Sequence, residues 1–351
     1  LATMVDAGCE AAVMEVSSHA LDQRRADAIG FDAGVFTNIT GDHADYHETF
    51  ESYLAAKQRL LGLLTGDAPG ILNTDDGLVA GCGQAVGSGR VVRCSAENQD
   101  CDWAVERDEG AGRSPIEGES LTIRHAGHTI RGAVPLIGGF NAMNVCQAVA
   151  TAWVLLERAG MDEDERTQRL GRALTLATAP PGRLEPVHTA GDEVRVLVDF
   201  AHTDDALDRT LATVRDACEP GVELSVVFGC GGDRDTGKRP RMGEVATRHA
   251  DRIVLTSDNP RSEPPSAIID AILTGIPNAA RARTAVHAER GEAIRRAIAD
   301  AAQGGVVVIA GKGHETDQVS CDTEGRPVVR RFVDQEHARS ALQERRAGVT
   351  P

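Results

Sequence analysis

The sequence predicts an α/β protein with two domains, each organised round a mainly parallel sheet. Three observations carry that expectation. Continuous apolar runs of strand length recur: "AAVMEV", "AGVFTNI", "VRVLVDF", "LSVVFGC", "RIVLTS" and "GVVVIAG". Unbroken rather than alternating apolarity suits strands covered on both faces. Helical patterns separate the runs, among them Asp204 to Cys218 and Arg239 to His249, which is the βαβ rhythm of parallel sheets. Polar clusters then follow the runs: Ser17-Ser18-His19, Asn38, Asp199 to His202, Gly229 to Arg234, Asp258 to Arg261, and Gly311 to Glu315. Ligands of parallel sheets gather at the carboxyl ends of the strands.

Bulk properties narrow the class. At 351 residues the chain exceeds one ordinary core, so two domains are expected. Hydrophobic residues at 41% and charged residues at 26% are a globular composition. A net charge of -16 argues against non-specific binding to nucleic acid. No apolar run approaches the roughly 18 residues of a membrane span, so no membrane partner is expected. The eight cysteines form no CxxC pair, which points to reduced thiols and a cytoplasmic setting. The opening "LATMVDAGCEAAVMEVSSHAL" reads as a helix end running into a buried strand. Domains seldom begin that way, so a preceding segment is expected. "TAPPGRLEP", with two prolines and a glycine, marks an interdomain joint near Pro181. Residues 65–135, rich in Gly and Asp, read as hairpins on the edge of the first domain.

Several stretches carry chemistry. In "HETFESYLAAKQRLLGLL", Phe50, Tyr53, Leu54, Leu60, Leu61 and Leu64 form a helical stripe, and Lys57 falls inside it. That lysine either lays its stem on the core and reaches water, or is a desolvated amine of lowered pKa. An amine of that kind reacts with carbon dioxide to give a carbamate, an oxygen ligand for a hard cation. Glu15, ending an apolar run, and Asp42, His43, Asp45 and His47 in "TNITGDHADYH" are further candidate ligands. With no HExxH and no nearby cysteine, magnesium is favoured over zinc. "GDRDTGKR" imitates a phosphate loop, but Arg239 stands where magnesium needs Ser or Thr. Arg234 within it faces either a carboxylate or solvent. In "AGKGHET" the glycines permit close approach to a ligand, and Glu315 is suited to accept from an ammonium group. "LTSDNPRSEP" leaves a strand through Asp258, Asn259 and Pro260 and projects Arg261, a fork of donors matched to a carboxylate.

Nine stretches occur in the order found in one family: "MEVSSHAL", "FTNITGDHADYH", "YLAAKQRL", "GGFNAMNV", "PPGRLEPV", "VDFAHTDDAL", "VFGCGGDRDTGKRPRMG", "SDNPR" and "GKGHE". Together they resemble the Mur ligases, in particular the branch that adds the third residue of the peptidoglycan stem peptide. The resemblance implies a central ATPase domain at 1–181, lacking its start and its phosphate loop, and a Rossmann-like C-terminal α/β domain at 182–351. It implies ATP as co-substrate and Mg2+ as cofactor. The expected reaction phosphorylates the D-glutamate carboxylate of UDP-N-acetylmuramoyl-L-alanyl-D-glutamate, and the amine of meso-2,6-diaminopimelate then displaces phosphate. Without the phosphate loop, this stretch alone is not expected to turn over ATP.

Residue roles follow from the same resemblance. Lys57, as a carbamate, with Glu15 and His43 would serve catalysis and metal binding. Ser17, Gln23 and Arg25 would contact the UDP-sugar substrate, and Asn144, Arg183, Asp199 and His202 the nucleotide. Arg234, Asp258, Asn259, Pro260, Arg261, Gly311 and Glu315 would form the diaminopimelate pocket, with Arg261 selecting the carboxylate that lysine lacks. Phe200, Asp204, Gly41 and Pro264 depart from the family's usual residues. A lysine-adding or folylpolyglutamate-type ligase, or a noncatalytic binding remnant, stand as alternatives.

Overall fold

The computed structural model describes residues 2–39, 46–83, 90–108, 115–322 and 324–349. Two compact units divide the chain. One comprises residues 1–109, 121–132 and 139–175, and the other 110–120, 133–138 and 176–351.

The first unit holds a six-stranded sheet in sequential order: β1 Gly34–Phe36, β2 Gly70–Asn73, β3 Val91–Ser95, β4 Trp103–Arg107, β5 Glu119–His125 and β6 His128–Val134. Strands β1 to β4 run parallel, and β5 is antiparallel to β4. The hairpins expected over 65–135 are therefore confined to the later strands. β2 and β3 are parallel members instead, because the helix Gly139–Arg158 covers β2, β3 and β4 and favours two-sided apolar strands. That helix is long and apolar enough to cross a bilayer, yet half of its most apolar window is buried in the protein, as in a core helix. From its buried face Gln147 donates to the carbonyls of Phe36 at 2.8 Å and Ile71 at 3.4 Å, tying it to β1 and β2.

The expected strand "AAVMEV" is not formed. Residues 11–16 carry no regular structure, and Val13 and Met14 are exposed. An apolar run becomes a strand only where another strand accepts its ladder, and none among the described residues pairs with it.

The second unit holds a second six-stranded sheet, in the order β11-β10-β9-β12-β8-β7. Its strands are β7 Glu185–Pro186, β8 Arg195–Asp199, β9 Leu224–Phe228, β10 Arg252–Leu255, β11 Thr284–Val286 and β12 Val306–Ala310. All are parallel except β7. Alternation within the apolar runs sorts their side chains between two cores. Leu224, Val226, Phe228, Val306 and Val308 pack with Leu207, Leu211, Met242 and Ile268. Val227, Val307 and Ile309 pack with Ile294, Ile298 and Leu342 on the other face. A hairpin, β13 Asp317–Cys321 with β14 Pro327–Arg331, follows β12. All eight cysteines are free thiols.

Candidate functional site

In the second unit, the loops leaving β8, β9, β10 and β12 meet beyond the sheet's carboxyl edge. Consecutive strands β8 and β9 are separated there by β12, which opens a crevice of the kind that receives ligands in such sheets.

The turn after β10 is fixed by its neighbours. The Asp258 carbonyl accepts from Gln318 at 2.7 Å. Asn259 is buried, and its Oδ1 accepts from the Val319 amide at 2.9 Å and the Lys312 ammonium at 3.3 Å. Its Nδ2 donates to Glu315 at 2.9 Å. The Pro260 carbonyl accepts from the Glu263 amide and lies close over Gly232, where an added Cβ would come within 1.9 Å of it. The hairpin holds Arg261 by a hydrogen bond from its amide to the Val319 carbonyl at 3.1 Å.

Arg261 adopts φ of 51°, a left-handed conformation strained for a non-glycine residue. Its Nη1 donates to the Gly232 carbonyl at 2.7 Å. Among the described residues no carboxylate pairs with it. Arg234 is exposed, its stem against Gly231. The two loops are clasped by a reciprocal set of bonds. Ser262 donates from Oγ to Asp233 at 2.6 Å, and the Asp233 amide donates to Glu263 at 2.7 Å. Glu263 also takes a two-pronged ion pair from buried Arg239, at 2.7 and 2.8 Å. That pair, with the Asp233 amide, holds the Glu263 carboxyl down at about 2.

Asp258 is buried, and no donor among the described residues reaches its carboxylate. Burial pushes its pKa up, opposed by the charges of Arg290 and Lys312. Gly311, at φ +115°, passes so close that an added Cβ would sit 2.8 Å from Asp258 Oδ2. For Glu315 burial acts upward, but the bonds from Lys312 and Asn259 outweigh it and hold the carboxyl below its ordinary range. Arg290 and Asp334, both fully buried, form a bidentate pair at 2.7 Å, and Arg290 also donates to the Ser257 and Ala310 carbonyls. It therefore ties the ends of β10 and β12 together.

The loop after β8 is built differently. Asp199 accepts from the Leu184 amide at 2.8 Å, the Ala201 amide at 2.9 Å and Thr210 Oγ1 at 3.0 Å. Its carboxylate thus braces this loop and the "PPGRLEP" segment. Arg183 lies over the Phe200 ring at 5.2 Å. His202 is exposed, and its Nδ1 is 2.9 Å from the Phe200 carbonyl. Lys238, from the rejected phosphate-loop stretch, donates to the His202 carbonyl at 2.7 Å.

The candidates in the first unit are more dispersed. Lys57 lies half-buried on the helix Phe50–Gln58, its ammonium 5.1 Å from the Tyr53 ring centroid. Tyr46, His47, His19 and Tyr53 pack around one another. Ser17 caps the helix Ser18–Asp22 by accepting from the Ala20 amide. Gln23 donates to the Tyr46 hydroxyl, and Arg25 is exposed. Asn144 is exposed on the helix Gly139–Arg158 and donates to Asn141. Glu15 is exposed on the irregular segment instead of ending a buried strand. Asp42, His43 and Asp45 lie outside the described residues. Among the described residues no three His, Cys, Asp or Glu side chains gather as a metal group.

Sequence reasoning gave no role in this site to Lys312, Gln318, Arg239, Glu263, Arg290 or Asp334. Only Lys312 carried a local signal: a lysine between two glycines, directly after five buried strand residues.

Comparison with known proteins places this geometry. Residues 1–152 match the Mur ligase middle domain, and residues 182–313 match the Mur ligase glutamate ligase domain. A protein of Synechococcus elongatus named UDP-N-acetylmuramoyl-L-alanyl-D-glutamate--2,6-diaminopimelate ligase is 42% identical, over 99% of this chain and 65% of its own length. One of the same name from Chlorobaculum tepidum is 39% identical, over 95% of this chain and 63% of its own. A solved structure of a ligase of that name matches at TM-score 0.64 and 32% identity, over 95% of this chain and 64% of that one. The folylpolyglutamate synthase of Thermotoga maritima shares the fold at TM-score 0.56 and 16% identity. The chain thus spans a little under two-thirds of the length of these curated relatives.

Proposed function

We propose, from the premise that this chain belongs to the Mur ligase family, that it is the larger part of an ATP-dependent ligase joining meso-2,6-diaminopimelate to UDP-N-acetylmuramoyl-L-alanyl-D-glutamate. The reaction serves peptidoglycan precursor synthesis in the cytoplasm. Residues 1–181 would belong to the ATPase domain and 182–351 to the domain carrying the amino-acid pocket. One observation carries the reading. The turn after β10 carries both Arg261, a guanidinium with no carboxylate partner among the described residues, and the Asp258 carboxylate, which no donor among them reaches, and Glu315 on the loop after β12 is bonded to that turn through Asn259. That charge pattern complements a carboxylate and an ammonium on one small molecule.

In this reading Arg261 binds the distal carboxylate of diaminopimelate, and Asp258 and Glu315 take its ammonium group. Holding that end leaves the other amine to attack the acyl phosphate formed from D-glutamate. Phosphorylation supplies the leaving group that a carboxylate lacks, and fixing the nucleophile lowers the entropic cost of attack. Arg183, His202 and Asn144 are assigned to the nucleotide, and Ser17, Gln23 and Arg25 to the UDP-sugar. Asp199 acts chiefly by bracing, since its carboxylate already takes three internal bonds. Magnesium, when bound, would neutralise the crowded phosphates. Lys57 as a carbamate, Glu15 and His43 are its assigned protein ligands. The described residues alone form no such cage.

The test compares meso-diaminopimelate with L-lysine as acceptor, following ADP release and amide formation by the protein as its gene encodes it. Preference for diaminopimelate by about tenfold or more is expected, the size of a half-buried arginine left without its carboxylate. Equal use of lysine would make this a lysine-adding ligase. Binding of diaminopimelate without ADP release would make it a noncatalytic remnant.

A further inference from the structure

Lys312 is fully buried beside the amino-acid pocket. An unpaired ammonium in such a place would be costly, yet every donor is used. Its Nζ donates to Glu315 Oε2 at 2.9 Å, to Asn259 Oδ1 at 3.3 Å and to the Asp317 carbonyl at 2.6 Å. These partners come from the loop after β12, the turn after β10 and the first residue of β13.

The consequences are geometric. Asn259 Oδ1 takes two donors, from Lys312 and the Val319 amide, so its amide has one workable orientation, with Nδ2 toward Glu315 Oε2. Glu315 Oε2 then receives both Lys312 and Asn259, and neither of these donors engages Oε1. With Lys312 removed, Glu315 and Asp258 would face each other as two acids with one fewer cation between them.

We propose that Lys312 is a positioning residue of the amino-acid pocket, fixing Glu315 and Asn259 in the one arrangement that receives an ammonium group. It acts through these partners and touches no reacting atom. The inference rests on the proposed diaminopimelate reading and deepens it.

The test is a double-mutant cycle of Lys312→Met and Glu315→Gln in the protein as its gene encodes it, with KM for meso-diaminopimelate, KM for ATP and kcat read for each. Lys312→Met is expected to raise KM for diaminopimelate about tenfold or more, the worth of a charge-assisted bond. KM for ATP should stay within about twofold. The double variant is expected to be no worse than the poorer single one, because both changes remove the same function. Additive losses, or KM for ATP rising in step, would overturn the proposal and leave Lys312 a structural residue. If the methionine variant does not fold by circular dichroism, Lys312→Gln, which retains two donors, carries the same cycle. Failure of both to fold also assigns the lysine to structure alone. The wild-type assay separates the two readings. If wild type does not add diaminopimelate, the functional reading falls. If it does and Lys312→Met leaves its KM unchanged, only this inference falls.

Discussion

Arg261 turns one guanidinium nitrogen onto the Gly232 carbonyl, 2.7 Å away, while its own backbone is held at φ 51°. The strain persists because the Arg261 amide is bonded to Val319 and the neighbouring Ser262 and Glu263 are clasped to Asp233 and Arg239.

Binding and stability should therefore separate at this position. Arg261→Ala and Arg261→Gly are both expected to weaken meso-diaminopimelate binding about tenfold or more. The glycine variant should be more stable than the alanine variant by about 1 kcal/mol, since only glycine adopts this conformation without cost. Calorimetric titration and urea unfolding measure the two quantities. Retained affinity in both variants would remove Arg261 from the pocket.

Gly311→Ala places a methyl 2.8 Å from Asp258 Oδ2, at a φ of +115° that side chains avoid. A loss of about 1–3 kcal/mol is expected on unfolding. Binding of diaminopimelate should weaken as Asp258 is displaced. An alanine variant as stable as wild type would show that this loop is not held as described.

Asp334→Asn leaves the Arg290 guanidinium buried without its counter-charge. The expected cost is about 3–5 kcal/mol, read as a lower urea midpoint with an unchanged slope. Because Arg290 also bonds the Ser257 and Ala310 carbonyls, the variant should bind diaminopimelate less well than its folded fraction alone explains.

The clasp has a defined pH signature. Glu263 titrates at about 2 in the folded protein, against an ordinary 4.5, so its pKa is depressed by folding. Its contribution is complete above about pH 4.5, declines as the medium is acidified, and is gone below about pH 2. Denaturation of wild type and Glu263→Gln between about pH 6 and pH 3 should show a stability gap that is constant at the upper end and narrows below about pH 4.5. A gap that stays constant over the whole interval would show that Glu263 is not ionised against Arg239.

Much of the candidate site was legible in the sequence because its residues sit in short contiguous stretches after apolar runs. Asp258 to Arg261 and Gly311 to Glu315 each lie within a few positions of a strand end, and parallel strands place such ends side by side. The residues that hold them were not legible. Arg290 finds Asp334 44 positions away, and Gln318 finds the Asp258 carbonyl 60 positions away. No local pattern encodes a pairing across that separation. The strand expected before Glu15 was not formed for a related reason, since its apolar run promised a ladder whose partner the described residues do not supply.

The sequence by itself determined the parallel α/β architecture of the second unit, the family, and which strand ends carry charged residues. These depend on local periodicity and on the chain order of short motifs. Only the tertiary structure decided that, among the described residues, nothing pairs with residues 11–16 and no carboxylate pairs with Arg261, that Asp199 braces three elements, and that buried Lys312 donates to both Asn259 and Glu315. The reason is physical. Periodicity fixes which face of an element is buried, whereas hydrogen-bond partners and local charge balance depend on which distant segments the fold brings within 3 Å or so of one another.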